Sequence, residues 1–98
     1  MATPKDLAGL DIRVYSAGWC PDCRRLEAWM EREGLHFPKV DIEADPEAAE
    51  RLERETGKRA IPFLLVNGRA WVRGYHRELP TRFDPALLVR EVEEAAAK

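Results

Sequence analysis

Ile12-Arg13-Val14-Tyr15 alternates apolar and charged positions and then turns apolar, which predicts a strand of about five residues ending at Ser16. Ala17-Gly18 supplies a loop, and from Pro21 onward the apolar positions recur at helical spacing. Leu26, Trp29 and Met30 share a face expected to meet a sheet, while Glu27, Glu31 and Arg32 stay in water. Gly34 stands where a left-handed cap would end this helix. Residues 37–42 read as a second strand, and the order strand, helix, strand argues for parallel pairing. Asp45-Pro46-Glu47 then opens a second helix with an N-cap acid, a proline at N1 and another acid in the first turn. It is predicted to run to about Glu55, before Thr56-Gly57. Its apolar face, Ala49 and Leu52, is thin and predicts a peripheral position.

Ile61-Pro62-Phe63-Leu64-Leu65-Val66 is a continuous apolar run suited to a strand buried on both faces. Asn67-Gly68 is a strong hairpin signal, with residues 69–73 returning as an antiparallel strand. Arg69, Trp71 and Arg73 share one face of that strand, and an exposed or helix-covered edge is the reading for Trp71. A loop over residues 75–83 leads to a last helix capped by Asp84, with Pro85 at N1 and apolar positions Leu88, Val92 and Ala95 or Ala96. Residues 1–10 read as a frayed lead-in.

At 98 residues the chain is expected to form one domain over residues 1–98, with a single core. A net charge of −2 gives no reason to expect a nucleic acid or a bare membrane surface as partner. No apolar run approaches the ~18 residues of a membrane span. The charge is nonetheless uneven. Residues 41–55 hold seven acidic side chains against Arg51 and Arg54, and residues 58–82 hold six Lys and Arg against Glu78. Such runs serve as solvated faces, or the basic one steers an anionic thiol or acidic protein.

The chemistry lies in Trp19-Cys20-Pro21-Asp22-Cys23, which holds both cysteines of the chain. Pro21 suits the first helical position, so Cys20 falls at or beside the N-cap. There, orphan N–H groups and the positive end of the helix dipole favour a thiolate. A free thiol with pKa about 8.5 is scarcely ionised at neutral pH, whereas helix N-termini and Cys-x-x-Cys motifs bring thiols into the range of about 3.5–7.5. Cys23, one layer deeper on the first turn, is the natural resolving thiol. Cys20 would attack a substrate disulfide and Cys23 would displace the mixed disulfide. A structural disulfide competes poorly, because Met1 to Asp6 has no apolar core of an export signal. The pair is therefore expected in a reducing cytoplasm. Half of a zinc site would need His36 and His76, which lack paired ligand spacing. Asp22 places a negative charge beside the thiolate, with Arg24 and Arg25 as candidate offsets. Its repulsion, on the order of 1 kcal/mol, should make Cys20 a milder nucleophile.

Cys20-Pro21-Asp22-Cys23 together with Ile61-Pro62, set in this element order, resembles the glutaredoxins and the wider thioredoxin superfamily over residues 12–97. The resemblance implies an α/β thioredoxin fold: a four-stranded mixed sheet, β-α-β-α-β-β-α, with helices on both faces. It also implies a cis bond at Pro62, which would bring Pro62 against the sulfurs and leave the Ile61 backbone free to pair with an extended substrate. Cys20 and Cys23 would be catalytic, and Trp19, Pro21, Ile61, Pro62, Gly74 and Tyr75 would contact substrate. Proline after the first cysteine, and Val14 where thioredoxins carry a buried acid, favour the glutaredoxin branch. Trp19 is more thioredoxin-like.

The chain departs from glutaredoxins at their hold on glutathione. Ala17 stands where a lysine is common, Ala60 where a threonine is common, and Gly74 is followed by Tyr75 and His76 rather than by glycine and an acid. Arg59, Arg73 or Arg77 could supply a carboxylate contact instead. The expected activity is thiol–disulfide exchange on protein disulfides or mixed disulfides with a low-molecular-weight thiol. It would proceed in a monomer without a dissociable cofactor. Electrons would come from a thiol such as glutathione or from an NADPH-dependent reductase. The alternative is an iron–sulfur or metal carrier with Cys20 as ligand, against which Cys23 and the bulky Pro21-Asp22 weigh.

Overall fold

The computed structural model describes residues 3–97. A short 3-10 turn, Pro4–Leu7, precedes β1 (Ile12–Ser16), α1 (Pro21–Arg32), β2 (Lys39–Asp41), α2 (Pro46–Thr56), β3 (Phe63–Val66), β4 (Ala70–Arg73) and α3 (Pro85–Ala96). The strands form one sheet in the order β2-β1-β3-β4. β1 and β2 are parallel, as the crossover through α1 requires, while β3 runs antiparallel to both β1 and β4. This is the expected four-stranded mixed sheet.

Alternation along the strands divides the core into two layers. Ile12, Val14, Leu64, Val66 and Val72 point to the face covered by α1 and α3, against Leu26, Trp29, Met30, Leu88, Val89 and Val92. Tyr15, Phe63, Leu65 and Trp71 point to the other face, where α2 supplies Ala48 and Leu52. The sequence reading placed α2 at the periphery, but Leu52 is fully buried and Ala48 and Ala49 nearly so. A thin apolar face suffices because the sheet itself brings the large side chains to that layer. Trp71 lies under α2. Its indole N–H donates to Glu55 Oε1 at 2.8 Å, and its ring meets Tyr15 edge-on at 4.8 Å.

Several boundaries differ from the sequence reading, most of all at the starts of β2 and β3 and in the lead-in. β2 begins at Lys39 rather than 37, after Pro38, which has no N–H to give to a ladder. β3 begins at Phe63, after Pro62, which likewise cannot donate; the Ile61–Pro62 peptide is cis. The lead-in is not frayed across residues 3–10. Leu7 is fully buried in the α1/α3 layer, and the Asp6 carboxylate accepts the Thr3 N–H at 2.8 Å. The hairpin matches its signal, since Asn67 (φ 55°) and Gly68 (φ 70°) both adopt the left-handed region that a two-residue turn demands.

Candidate functional site

Cys20 is the N-cap of α1, and its Sγ accepts the backbone N–H of Cys23 at 3.2 Å. An N-cap serine or aspartate uses an oxygen in this way; here the sulfur satisfies an orphan helix donor. The Sγ of Cys20 also lies 3.8 Å from the carbonyl oxygen of Ile61, on the cis peptide that leads into β3. Pro62 therefore stands beside the sulfur, as the resemblance implied. Cys23, one turn inward, is 1% exposed. Burial, together with the hydrogen bond to Cys20, pushes its thiol up to about 12. It is protonated at neutral pH while Cys20 occupies the helix end.

Gly74 closes the site from below. Its N–H donates to the Pro62 carbonyl at 2.9 Å. A Cβ there would lie 3.0 Å from both Leu26 Cδ2 and Leu64 Cδ1, and 3.1 Å from Pro62 Cγ. Glycine lets the end of β4 close against the cis-proline.

An open cleft of about 440 Å³ lies over Cys20, lined by Trp19, Pro21, Asp22, Ile61 and Tyr75 and by Arg59, Arg77 and Arg82. Four of the six residues expected to contact substrate thus face one cleft, while Pro62 and Gly74 lie beneath it as its support. Trp19 is 64% exposed, the large apolar side chain that the described surface presents to water. Of the three arginines proposed as replacements, Arg77 and Arg59 reach the cleft, the latter paired with Glu53. Arg73 instead pairs with Glu78 and lies across the Tyr75 ring at 5.2 Å.

Asp22 is not a bare charge. Its carboxylate takes Arg25 Nη1 at 2.6 Å and a two-point contact from Arg82, with Nη2 at 2.7 Å and Nε at 3.1 Å. The Arg82 hydrogen bonds, reinforced by Arg25, hold its carboxyl below the usual aspartate value. Arg24, named in the sequence reading as an offset, donates to the Gly18 carbonyl at 3.0 Å instead. Arg82 was not singled out from sequence, since no local spacing links it to a residue 60 positions away. His76 was considered as a metal ligand, and its nitrogens are engaged elsewhere. The Asp84 N–H donates to Nδ1 at 3.1 Å, so Nε2 carries the proton given to Glu91 at 2.8 Å. His36 lies elsewhere, near Phe37 and Lys39 at the edge of α1.

Residues 12–71 match the family model for glutaredoxin. The chain belongs to the glutaredoxin family. It is 31% identical to the glutaredoxin-like protein NrdH of Escherichia coli over 75 residues, 76% of this chain and 90% of that protein. Among solved structures it is similar to a mutant form of the thioredoxin-like protein BC3987, with TM-score 0.61, 21% identity and coverage of 83% and 97% of the two chains. It also resembles a glutaredoxin from Archaeoglobus fulgidus, with TM-score 0.56, 22% identity and coverage of 80% and 89%. These likenesses show the thioredoxin fold. The stretch matched by the family model holds both cysteines and Pro62 of this glutaredoxin-family chain, and ends before Gly74, Tyr75 and Arg82.

Proposed function

We propose that this member of the glutaredoxin family is a dithiol oxidoreductase that reduces protein disulfides or mixed disulfides with a low-molecular-weight thiol. The observation that carries the reading is the Cys20 sulfur, seated on the N-terminus of α1 and beside the Ile61 carbonyl of the cis peptide. The Cys20 thiolate attacks one sulfur of the substrate disulfide, and the other leaves as a thiolate that takes a proton from water. Cys23 loses its proton as it attacks the Cys20 sulfur, which releases the second substrate thiolate. Two electrons have then passed from the dithiol to the substrate, and the Cys20–Cys23 disulfide remains. Its raised pKa keeps Cys23 protonated during the first attack, and burial beneath Cys20 leaves it the Cys20 sulfur to attack in the second.

Trp19, Pro21 and Tyr75 would hold the substrate over the sulfur, and the Ile61 backbone would pair with an extended segment of it. The protein needs no dissociable cofactor in this reading and acts as a monomer in a reducing cytoplasm. None of its helices among the described residues is long and apolar enough to cross a membrane. The electron donor is a thiol such as glutathione or an NADPH-dependent reductase. Ala17, Ala60 and Tyr75 provide no counterpart to the polar glutathione contacts named above, whereas Arg59 and Arg77 stand at the cleft.

The test is NADPH consumption during reduction of a small mixed disulfide, with Cys20→Ser as control. One arm uses glutathione with glutathione reductase and the other uses thioredoxin reductase. Turnover in either arm that Cys20→Ser abolishes supports the reading and assigns the donor. Turnover that persists in Cys20→Ser contradicts it.

A further inference from the structure

The loop between β4 and α3 is built to a definite shape. The His76 N–H donates to the Arg82 carbonyl at 2.7 Å, the Leu79 N–H to the His76 carbonyl at 3.0 Å, and the Arg82 N–H to the Leu79 carbonyl at 3.0 Å. His76 anchors the loop to α3 through Glu91 and the Asp84 N–H, and Phe83 packs on Trp29 at 5.7 Å between centroids. Arg82 closes this frame in the left-handed region, with φ 59°. An L residue with a long side chain rarely adopts that conformation, and glycine or asparagine would adopt it more readily. The backbone N–H and carbonyl of Arg82, both hydrogen-bonded within the loop, hold that conformation. From this turn its guanidinium reaches across the cleft to Asp22 and grips both carboxylate oxygens.

We propose that Arg82 is a positioning residue that sets the Cys20–Cys23 dithiol–disulfide equilibrium, by fixing the Asp22 carboxylate and cancelling its charge beside Cys20. The inference rests on the oxidoreductase reading above. Asp22 lies two residues from Cys20 on the same helix turn, and its side chain is only 16% exposed, so water screens it poorly. An uncompensated carboxylate there repels a thiolate at Cys20 and weakens the reduced state. Arg25 opposes only part of this, through one nitrogen from an exposed position. The fork of Arg82 takes both oxygens and fixes where the negative charge lies. Removing Arg82 should therefore favour the disulfide and make the protein a stronger reductant.

The experiment equilibrates the full chain with mixtures of reduced and oxidised dithiothreitol and counts free thiols by alkylation and mass. A parallel series follows the rate of Cys20 alkylation against pH. The variants are Arg82→Asn, Arg82→Lys, Asp22→Asn and the Asp22→Asn/Arg82→Asn double replacement. Asparagine tolerates the left-handed backbone; Arg82→Gly serves as a second variant should the first unfold.

The expected result is an equilibrium shifted toward the disulfide by about tenfold in Arg82→Asn, equivalent to about 30 mV. The alkylation profile should move to higher pH, Arg82→Lys should recover much of both, and in the Asp22→Asn background the effect should fall by more than half. A wild-type chain that equilibrates normally, with Arg82→Asn or Arg82→Gly indistinguishable from it, overturns the inference and leaves the oxidoreductase reading intact. So does an effect of equal size in the Asp22→Asn background. A wild-type chain that forms no Cys20–Cys23 disulfide at any ratio overturns the oxidoreductase reading itself, and the inference with it.

Discussion

The backbone N–H of Gly74 donates to the carbonyl of Pro62 at 2.9 Å, which ties the end of β4 to the cis-proline that flanks the Cys20 sulfur. The space at Gly74 is set by three neighbours: Leu26 behind the cysteine helix, Leu64 in β3 and Pro62 itself. Gly74→Ala must displace all three by a few tenths of an ångström. Overpacking of this kind costs about 1–3 kcal/mol. A urea titration should show the loss as a lower midpoint at unchanged slope. A midpoint equal to that of the wild type would mean the site accommodates the methyl group freely.

Leu7 supplies a second check, on a segment too short to show a periodic apolar face. Its side chain is fully buried beside α1 and α3. Leu7→Ala should destabilise the protein by about 2–5 kcal/mol, the range for a buried leucine that leaves a cavity. For a domain of this size each kcal/mol lowers the melting temperature by about 4–8 °C. Thermal unfolding followed by circular dichroism reads the effect directly, and an unchanged melting temperature would place Leu7 outside the core.

The sequence carried the parts of the site that depend on local chemistry. Cys20, Pro21 and Cys23 declare a helix N-terminus with two sulfurs on it, and Ile61-Pro62 opens an apolar strand. The parallel β1–β2 pair followed from the crossover and the β3–β4 pair from Asn67-Gly68, but the antiparallel β1–β3 pairing that joins them did not. The polar network was not legible in the same way. Asp22 and Arg82 meet only because the loop over residues 75–83 folds back across the cleft, and His76, weighed as a zinc partner from sequence, is instead held by Asp84 and Glu91. Leu7 and Leu52 also misled. Leu52 stands among charged neighbours and is buried by the large side chains the sheet presents to it, whereas Leu7 sits in a short turn and is buried by packing beside α1 and α3.

Asp22 makes the network visible in acid. Its folded carboxyl titrates below the ordinary value of 3.8, chiefly through the hydrogen bonds from Arg82. The group thus contributes stability that is present above the unfolded value and is lost as the pH falls through the depressed folded one. Asp22→Asn should remove that contribution. Its stability should decline less steeply than that of the wild type as the pH is lowered from about 4, and fall below it at neutral pH. Urea midpoints measured from pH 7 down to pH 2.5 check this, and parallel curves for the two proteins would contradict it.

In the proposed function Cys20 attacks and Cys23 resolves. Intact-mass spectrometry of the Cys23→Ser protein after brief exposure to a disulfide-linked peptide tests it most directly. The account predicts one peptide adduct, mapped to Cys20 and persistent in Cys23→Ser, whereas the wild type releases the peptide and becomes two hydrogens lighter. An adduct on Cys23 in the Cys20→Ser protein at a comparable rate, or none on Cys20 in Cys23→Ser, would contradict the assignment of roles.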